Sequence, residues 1–324
     1  MHNKQSLINR LKTGGPRPLW IRYFLLIGFF FLIMQMLLSS VYGKTALVYI
    51  FVPYLVGVAI YLFIPQPKGL SKTSRFARHM LAVIIVMLGT SALLREGIIC
   101  VAMFLPIYLF FSALYFAIAP ARHEPDDPKT ASDVFKSSVI PLIVAVLSLE
   151  GVTQTLSFDR EETVSRTMVV EGNVDTLKSN MAMPIHLEED RSLFLRLFPL
   201  PYDVAAGTLS EGDTHIAKFA YHRWMFTNTH YGETRLKLAE IGPRHIRTQI
   251  TTDTTYFSKY MTIHGTRVDF EPVTETTTRV TLTINYRRDL DPAWYFGPLQ
   301  RRAMRESADY LITQVIARPI ADKP

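Results

Sequence analysis

The 324-residue chain is 48% hydrophobic and 19% charged, with one cysteine and a formal charge of +7, which excludes a disordered chain and a disulfide-built scaffold. Divided after Val152, the first part holds 14 Lys and Arg against 6 Asp and Glu, and the second 21 against 22. The positive excess therefore lies entirely in the first part; the second lacks the basic surplus of a nucleic-acid-binding domain, and no nucleic-acid partner is expected. Cys100 stands alone and cannot pair within the chain.

Residues 1–155 read as a transmembrane region. The apolar runs Tyr23–Val41, Ala46–Ile64, Met80–Leu94 and Ile98–Ala119 have the length, or nearly so, to cross a hydrocarbon core of about 30 Å as helices. They lack the polar face of a soluble core helix, and the first is too long for the apolar stretch of a signal peptide and is followed by further spans. A fifth segment, Val134–Leu149, is short and carries Lys136 near its start, so it crosses only if that lysine snorkels and the bilayer thins. Four to five spans are expected.

Orientation follows from the short loops. Lys4, Arg10, Lys12, Arg17 and Arg22 precede the first span; Lys68, Lys72, Arg75 and Arg78 lie between the second and third; Arg122, Lys129 and Lys136 lie between the fourth and fifth. The opposite loops hold Lys44 and Arg95. The positive-inside rule then places the N-terminus in the cytoplasm and, with five spans, everything after about Gly151 outside. With four spans the second half is cytoplasmic. Arg95 and Glu96 sit in a tight turn before Gly97, and Glu150 closes the fifth segment on the same expected side. These three are candidate membrane-edge charges, beside the plainer reading of solvated residues that mark span ends.

From about Glu162 the pattern changes to short alternating runs, the signature of strands. Thr163–Val170 is a first strand, and Asn173 and Asp175 cap a short helix through Leu177 and Met181. Strands follow at Val204–Leu209, Thr214–Phe226, Thr234–Leu238, His245–Thr251, Tyr256–Ile263, Arg267–Glu271 and Thr278–Tyr286. In the last, Val280, Leu282, Ile284 and Tyr286 alternate with polar residues, so one face is buried and one wet. In Thr214–Phe226 two phases compete, Phe219, Tyr221 and Met225 against Ile216, Ala220, Trp224 and Phe226. Asp291-Pro292 opens a helix, and Gly297-Pro298 is expected to kink or restart it. Met304, Ala308, Leu311 and Val315 recur at helical spacing and should face the sheet. The whole is an α-helical transmembrane region followed by an α+β domain over residues 162–318.

The stretches Gly212–Phe219, Ile241–Ile246, Thr276–Leu282 and Tyr286–Tyr295 resemble the START-related, polyketide-cyclase-like (SRPBCC) superfamily, a likeness covering about Glu162–Ile316. That resemblance implies a helix-grip fold, a curved antiparallel sheet around a long C-terminal helix, with an apolar cavity used across the superfamily for lipids, sterols, quinones, polyketides and aromatic compounds. The first half resembles the multi-span region that precedes this domain in some bacterial membrane proteins, through Glu96–Cys100, Pro106 and Leu149-Glu150. The expected setting is the inner membrane, with the domain in the periplasm.

The residues expected to line the cavity are Val280, Leu282, Ile284 and Tyr286 on the last strand and Met304, Ala308, Leu311 and Val315 on the helix; position by position, plain core is the commoner role for such residues. His215, His222, His230, His245 and His264 show no close ligand spacing, so neither a metal nor another cofactor is expected. His222, Arg223, Asp253 and Tyr260 have acid-base chemistry, yet no Gly-x-Ser-x-Gly elbow, phosphate loop or dinucleotide fingerprint accompanies them, and no catalytic residue is assigned. A membrane-tethered binding module for an apolar small molecule is the favoured reading. An enzyme acting on such a molecule predicts a buried titratable residue of perturbed pKa, and an accessory or sensor subunit with an unknown protein partner predicts a filled cavity and an exposed apolar patch.

Overall fold

The structure, a computed structural model, describes residues 19–65, 69–118, 131–182, 187, 191–205, 208–224 and 227–318. Lys4, Arg10, Lys12, Arg17, Lys68, Arg122 and Lys129, which carry most of the orientation argument, lie outside them, as do Met225 and Phe226 of the third expected strand. The chain forms two compact units, Met1–Glu96 with Cys100–Val152 and Thr153–Pro324 with the short stretch Gly97–Ile99.

The first unit is helical: α1 Leu19–Leu38, a π-helical turn Leu47–Phe51 running into α2 Val52–Phe63, α3 Lys72–Leu94, α4 Ile98–Ile118 and α5 Ala131–Leu147. Three helices are long and apolar enough to cross a membrane, Leu19–Leu38, Lys72–Leu94 and Ile99–Ala117. Leu47–Phe63 and α5 have 17 residues each, about 26 Å of helix and short of the usual hydrocarbon thickness. α1 exposes Phe24, Leu25, Phe29, Leu32 and Met36, a surface that suits acyl chains rather than water. Inside the unit, Gly57 lies so close to Ser112 that a Cβ would stand 2.7 Å from its carbonyl oxygen, and Ser112 Oγ donates to the Pro53 carbonyl at 2.7 Å. Small residues and a hydroxyl thus bring α2 and α4 together, as expected where lipid offers no hydrophobic drive.

α3 ends in a tight turn before Gly97. The left-handed residue is Arg95 (φ 57°), whose position lets the backbone cap the last α3 carbonyls. Arg95 itself is exposed, Glu96 half-buried and Glu150 buried, the Glu150 carbonyl accepting from Ala46 N–H at 3.0 Å.

The second unit is a seven-stranded antiparallel sheet with a long closing helix. Its elements are β1 Glu161–Glu171, α6 Val174–Ala182, a 3-10 turn Leu195–Leu197, β2 Pro201–Ala205, β3 Thr214–Trp224, β4 Thr227–Ile241, β5 His245–Asp253, a turn Tyr256–Lys259, β6 Met261–Pro272, β7 Thr277–Arg288 and α7 Ala293–Leu311, ending in a π-helical turn Ile312–Ile316. The strand order is β1-β7-β6-β5-β4-β3-β2, so α6 and the segment after it carry the chain from one sheet edge to the other. Register fixes the inner face: Ile246, Val268 and Leu282 stand opposite one another across β5, β6 and β7, and all three belong to the core.

Several expected boundaries change. Asn173 does cap α6, its Oδ1 accepting from Thr176 N–H at 2.9 Å. The strand expected at Val204–Leu209 overlaps β2, which begins earlier at Pro201, while Ala206 and Gly207 lie outside the described residues. The strand expected at Tyr256–Ile263 begins only at Met261 and runs on through the expected Arg267–Glu271 as one element. Its first residues form a tight turn because Asp253 Oδ1 accepts from both the N–H (2.9 Å) and the hydroxyl (2.7 Å) of Thr255, a side-chain bond that competes with the strand ladder. α7 passes through Pro298 without a break. The residue before it is Gly297, and a missing Cβ removes the clash that normally drives a pre-proline residue out of helical geometry.

Candidate functional site

The residues expected to line a cavity lie at the centre of the domain, between sheet and helix. Val280, Leu282, Ile284, Tyr286, Met304 and Ala308 are buried in one cluster with Val164, Leu177, Ile246, Val268 and Phe270; Leu311 is half-buried against that cluster, and Val315 is buried beside it. Ile312 and Ile316 join the cluster although the spacing rule points to Leu311 and Val315, because the helix widens into a π turn over Ile312–Ile316 and shifts which side chains face the sheet.

Two ion pairs lock α7 onto β1. Glu162 accepts from Arg301 at 2.7 Å, and Arg166 Nε donates to Asp309 at 2.6 Å. Four strand residues and eight helix residues both span about 12–13 Å, so the two bonds form only with helix and strand running in the same direction. The Asp309 carboxylate raises the Arg166 pKa, chiefly through that hydrogen bond.

An open cleft lies at the other sheet edge. With a volume of about 750 Å³, it is lined by Leu187, Arg191, Arg196–Tyr202 and Ala220–His222, among others. Its wall is a short knot of sequence. Arg191 Nη1 donates to the carbonyls of Leu195 (3.2 Å) and Phe198 (2.7 Å), and Ser192 Oγ accepts from Leu195 N–H at 3.1 Å while donating to Glu306 on α7. Burial raises the Glu306 pKa, but the hydrogen bonds from Ser192 and Arg302 outweigh it and hold the carboxyl below its ordinary value. Phe194 meets Phe198 edge-on at 5.6 Å and carries the Arg302 guanidinium over its ring at 5.0 Å. Pro199 and Pro201 then hold the chain extended into β2.

The floor at Tyr221 is backed by an aromatic cluster. Tyr221 stacks on Tyr256 at 4.6 Å, and Phe257 touches both Tyr221 (5.6 Å) and Phe198 (5.1 Å). This settles the open phase of β3. Phe219 and Tyr221 are in phase with His215, which stands opposite Leu236, and Leu238, on the same side of β4, is a core residue. Gly232 makes the floor possible, since a Cβ there would stand 2.3 Å from the Thr254 carbonyl oxygen. With no side chain at that position, the Thr254–Thr255 backbone crosses β4 and delivers Tyr256 and Phe257.

The polar residues considered from the sequence have structural partners. His222 Nδ1 lies 2.8 Å from Thr229 Oγ1, His230 bonds the Thr254 carbonyl at 2.9 Å, His215 lies 3.4 Å from the Thr208 carbonyl, and His245 and His264 meet Glu240 and Glu161, both at 2.9 Å. The hydrogen bond from His245 holds the Glu240 carboxyl below its usual range. Asp253 binds the turn, and Tyr260 lies 3.4 Å from the Tyr256 hydroxyl. The Arg223 side chain lies outside the described set. Among the described residues no three His, Cys, Asp or Glu converge as a metal site. Tyr286 is buried with its hydroxyl unpartnered, and burial, aided by the Glu162 charge, pushes its pKa up to about 12. Such a phenol can donate a hydrogen bond but is poorly matched to proton transfer near neutrality.

The segment Leu193–Tyr202 escaped the sequence reading because it follows neither strand nor helix period. Its signal is density: Leu193, Phe194, Leu195, Leu197, Phe198, Leu200 and Tyr202 within ten residues.

No protein-family description matches the chain, and no curated protein matches it. Among solved structures, the second half is similar to a START superfamily protein from Mycobacterium smegmatis (14% identity, 47% of this chain and 92% of that one, TM-score 0.32). It is also similar to the ZhuI aromatase/cyclase from Streptomyces sp. R1128 (13%, 48% and 93%, TM-score 0.30) and to norcoclaurine synthase from Thalictrum flavum (12%, 50% and 90%, TM-score 0.30). The fold is read from this chain's own topology: one antiparallel sheet with β1 beside β7 and β2 at the far edge, packed on a long C-terminal helix, is a helix-grip fold, preceded here by apolar helices.

Proposed function

We propose that the protein is a membrane-anchored binding module for an apolar small molecule of lipid, isoprenoid or quinone type, held at the aromatic-floored cleft between the Leu195–Leu197 turn and β3. The observation that carries this reading is the cleft itself: an open concavity of about 750 Å³ whose lining mixes Leu187, Leu197, Phe198 and Leu200 with Arg191, Arg196 and His222, within the usual size range of small-molecule sites, in a chain with three helices fit to cross a membrane. The packed residues of β7 and α7 serve as its rigid backing. Tethering holds a weak binder at high effective concentration beside its membrane-borne ligand.

The module faces the periplasm in this reading, with five helices crossing the bilayer and the N-terminus in the cytoplasm. A reporter fused after Pro324 that is active only outside the cytoplasm supports that arrangement, and a cytoplasmically active one removes it.

The test of binding is gentle purification of the full chain in mild detergent, solvent extraction and mass spectrometry. A stoichiometric lipid or quinone that is lost on Tyr221→Asp, in a protein of unchanged circular dichroism, supports the reading. A folded chain that neither retains nor takes up added membrane lipids at this cleft shifts the function to protein contacts.

A further inference from the structure

We infer that the Leu193–Tyr202 segment is a bilayer-docking element that dips its exposed leucines among lipid acyl chains beside the cleft, an inference that rests on the binding reading above and names how the ligand reaches the site. Leu193 is 82% exposed, Leu197 41% and Tyr202 61%. This exposure does not come from a slack loop. Leu195 is buried, Phe194 and Phe198 are clasped by each other, by Arg302 and by Phe257, and Arg191 and Ser192 tie the backbone. Leu193 and Leu197, one helical turn apart, are therefore held outward by a fixed frame, while their neighbours Phe194 and Phe198 point inward.

The chemistry of the rim fits a bilayer interface. Arg196 is exposed between the two leucines and Tyr202 stands beside them, the pairing of a long cationic side chain and an amphipathic ring found at headgroup level. Three acids, Glu188, Glu189 and Asp190, stand just upstream of the segment, before Arg191 and Ser192, so attraction to anionic headgroups does not drive the contact. Burial of apolar side chains does, and neutral phosphatidylcholine is a sufficient partner. The chain carries its own apolar helices, which supply the high local concentration that two leucines need.

The test uses the full chain with Cys100→Ala and Leu193→Cys, labelled with an environment-sensitive fluorophore and reconstituted in phosphatidylcholine nanodiscs with or without doxyl-labelled lipid. The expected result is a blue-shifted emission and about twofold quenching at position 193. The quenching should survive about 0.5 M salt and be abolished by Leu197→Asp. A probe at Val273→Cys, an exposed position in the β6–β7 turn, should remain unquenched. Absence of quenching at 193, equal quenching at both positions, or loss of quenching in salt each overturns the inference. Mass spectrometry of lipid bound to the same preparation separates the two claims: bound ligand without quenching removes the docking element alone, whereas quenching without bound ligand removes the binding reading alone.

Discussion

Arg288 donates from Nη1 to Asp291 Oδ1 at 2.6 Å, with both side chains essentially sealed from solvent. Arg160 binds the other oxygen of the same carboxylate, and Arg288 also donates to the carbonyls of Leu290 and Asp159. The junction between β7 and α7 is thus a buried charge network that joins the start of β1 to the start of the closing helix. Removing one partner leaves a buried charge without compensation, at a cost of about 3–5 kcal/mol. Asp291→Ala should lower the melting temperature of the detergent-solubilised chain by on the order of 10 °C, and differential scanning fluorimetry checks it.

The pairs Glu162–Arg301 and Arg166–Asp309 are half-exposed, so each is worth about 0.2–1 kcal/mol. Their combined role is orientation. Reversing all four charges (Glu162→Arg, Arg301→Glu, Arg166→Asp, Asp309→Arg) should restore most of the stability lost when only the two helix residues are reversed. A melting series of the three proteins reads this directly.

Tyr286 gives a pH dependence of definite sign. Its folded pKa is raised from 10.0 to about 12, so its contribution is complete below pH 10 and is lost as pH climbs through 12, amounting to about 2–3 kcal/mol. Tyr286→Phe should flatten the loss of stability over that window. At pH 7 it should be neutral or raise stability by about 1 kcal/mol, since it removes a buried hydroxyl without a partner.

The cleft floor depends on Gly232. Gly232→Val should force the Thr254–Thr255 backbone away from β4, unstack Tyr256 from Tyr221 and reduce lipid retention at least tenfold, while helix content stays unchanged. Retention is measured by mass spectrometry and helix content by circular dichroism.

Glu306 adds an acid limit. Its carboxyl is depressed below 4.5 by Ser192 and Arg302, so the support it gives the Arg191–Phe198 knot is present above that value and lost as pH falls through the depressed pKa. Glu306→Gln should remove this acid sensitivity, read as protease cleavage within residues 191–202 between pH 5 and pH 3.

The helices, most strands and the closing helix were legible because each has its own period, as in Val280, Leu282, Ile284 and Tyr286. The limits of β6 were not, because the Asp253 side chain takes the Thr255 N–H and decides where the strand starts. Nor was the inward phase of β3, whose two faces are nearly equally apolar and which only pairing with β4 resolves.

By itself the sequence determined a chain of apolar helices followed by an antiparallel sheet and an amphipathic closing helix, since hydrophobic period and capping residues act within a few positions of one another. Only the tertiary structure decided how the cleft is built. Side chains on β7 and α7 meet at the centre because burial of their apolar faces seats the helix on the sheet, with the Glu162–Arg301 and Arg166–Asp309 bonds fixing its direction. The cleft at the far edge forms where residues 196–202 and 220–222 converge, a meeting set by strand register and backed by the Tyr221–Tyr256 stack that the missing side chain of Gly232 admits.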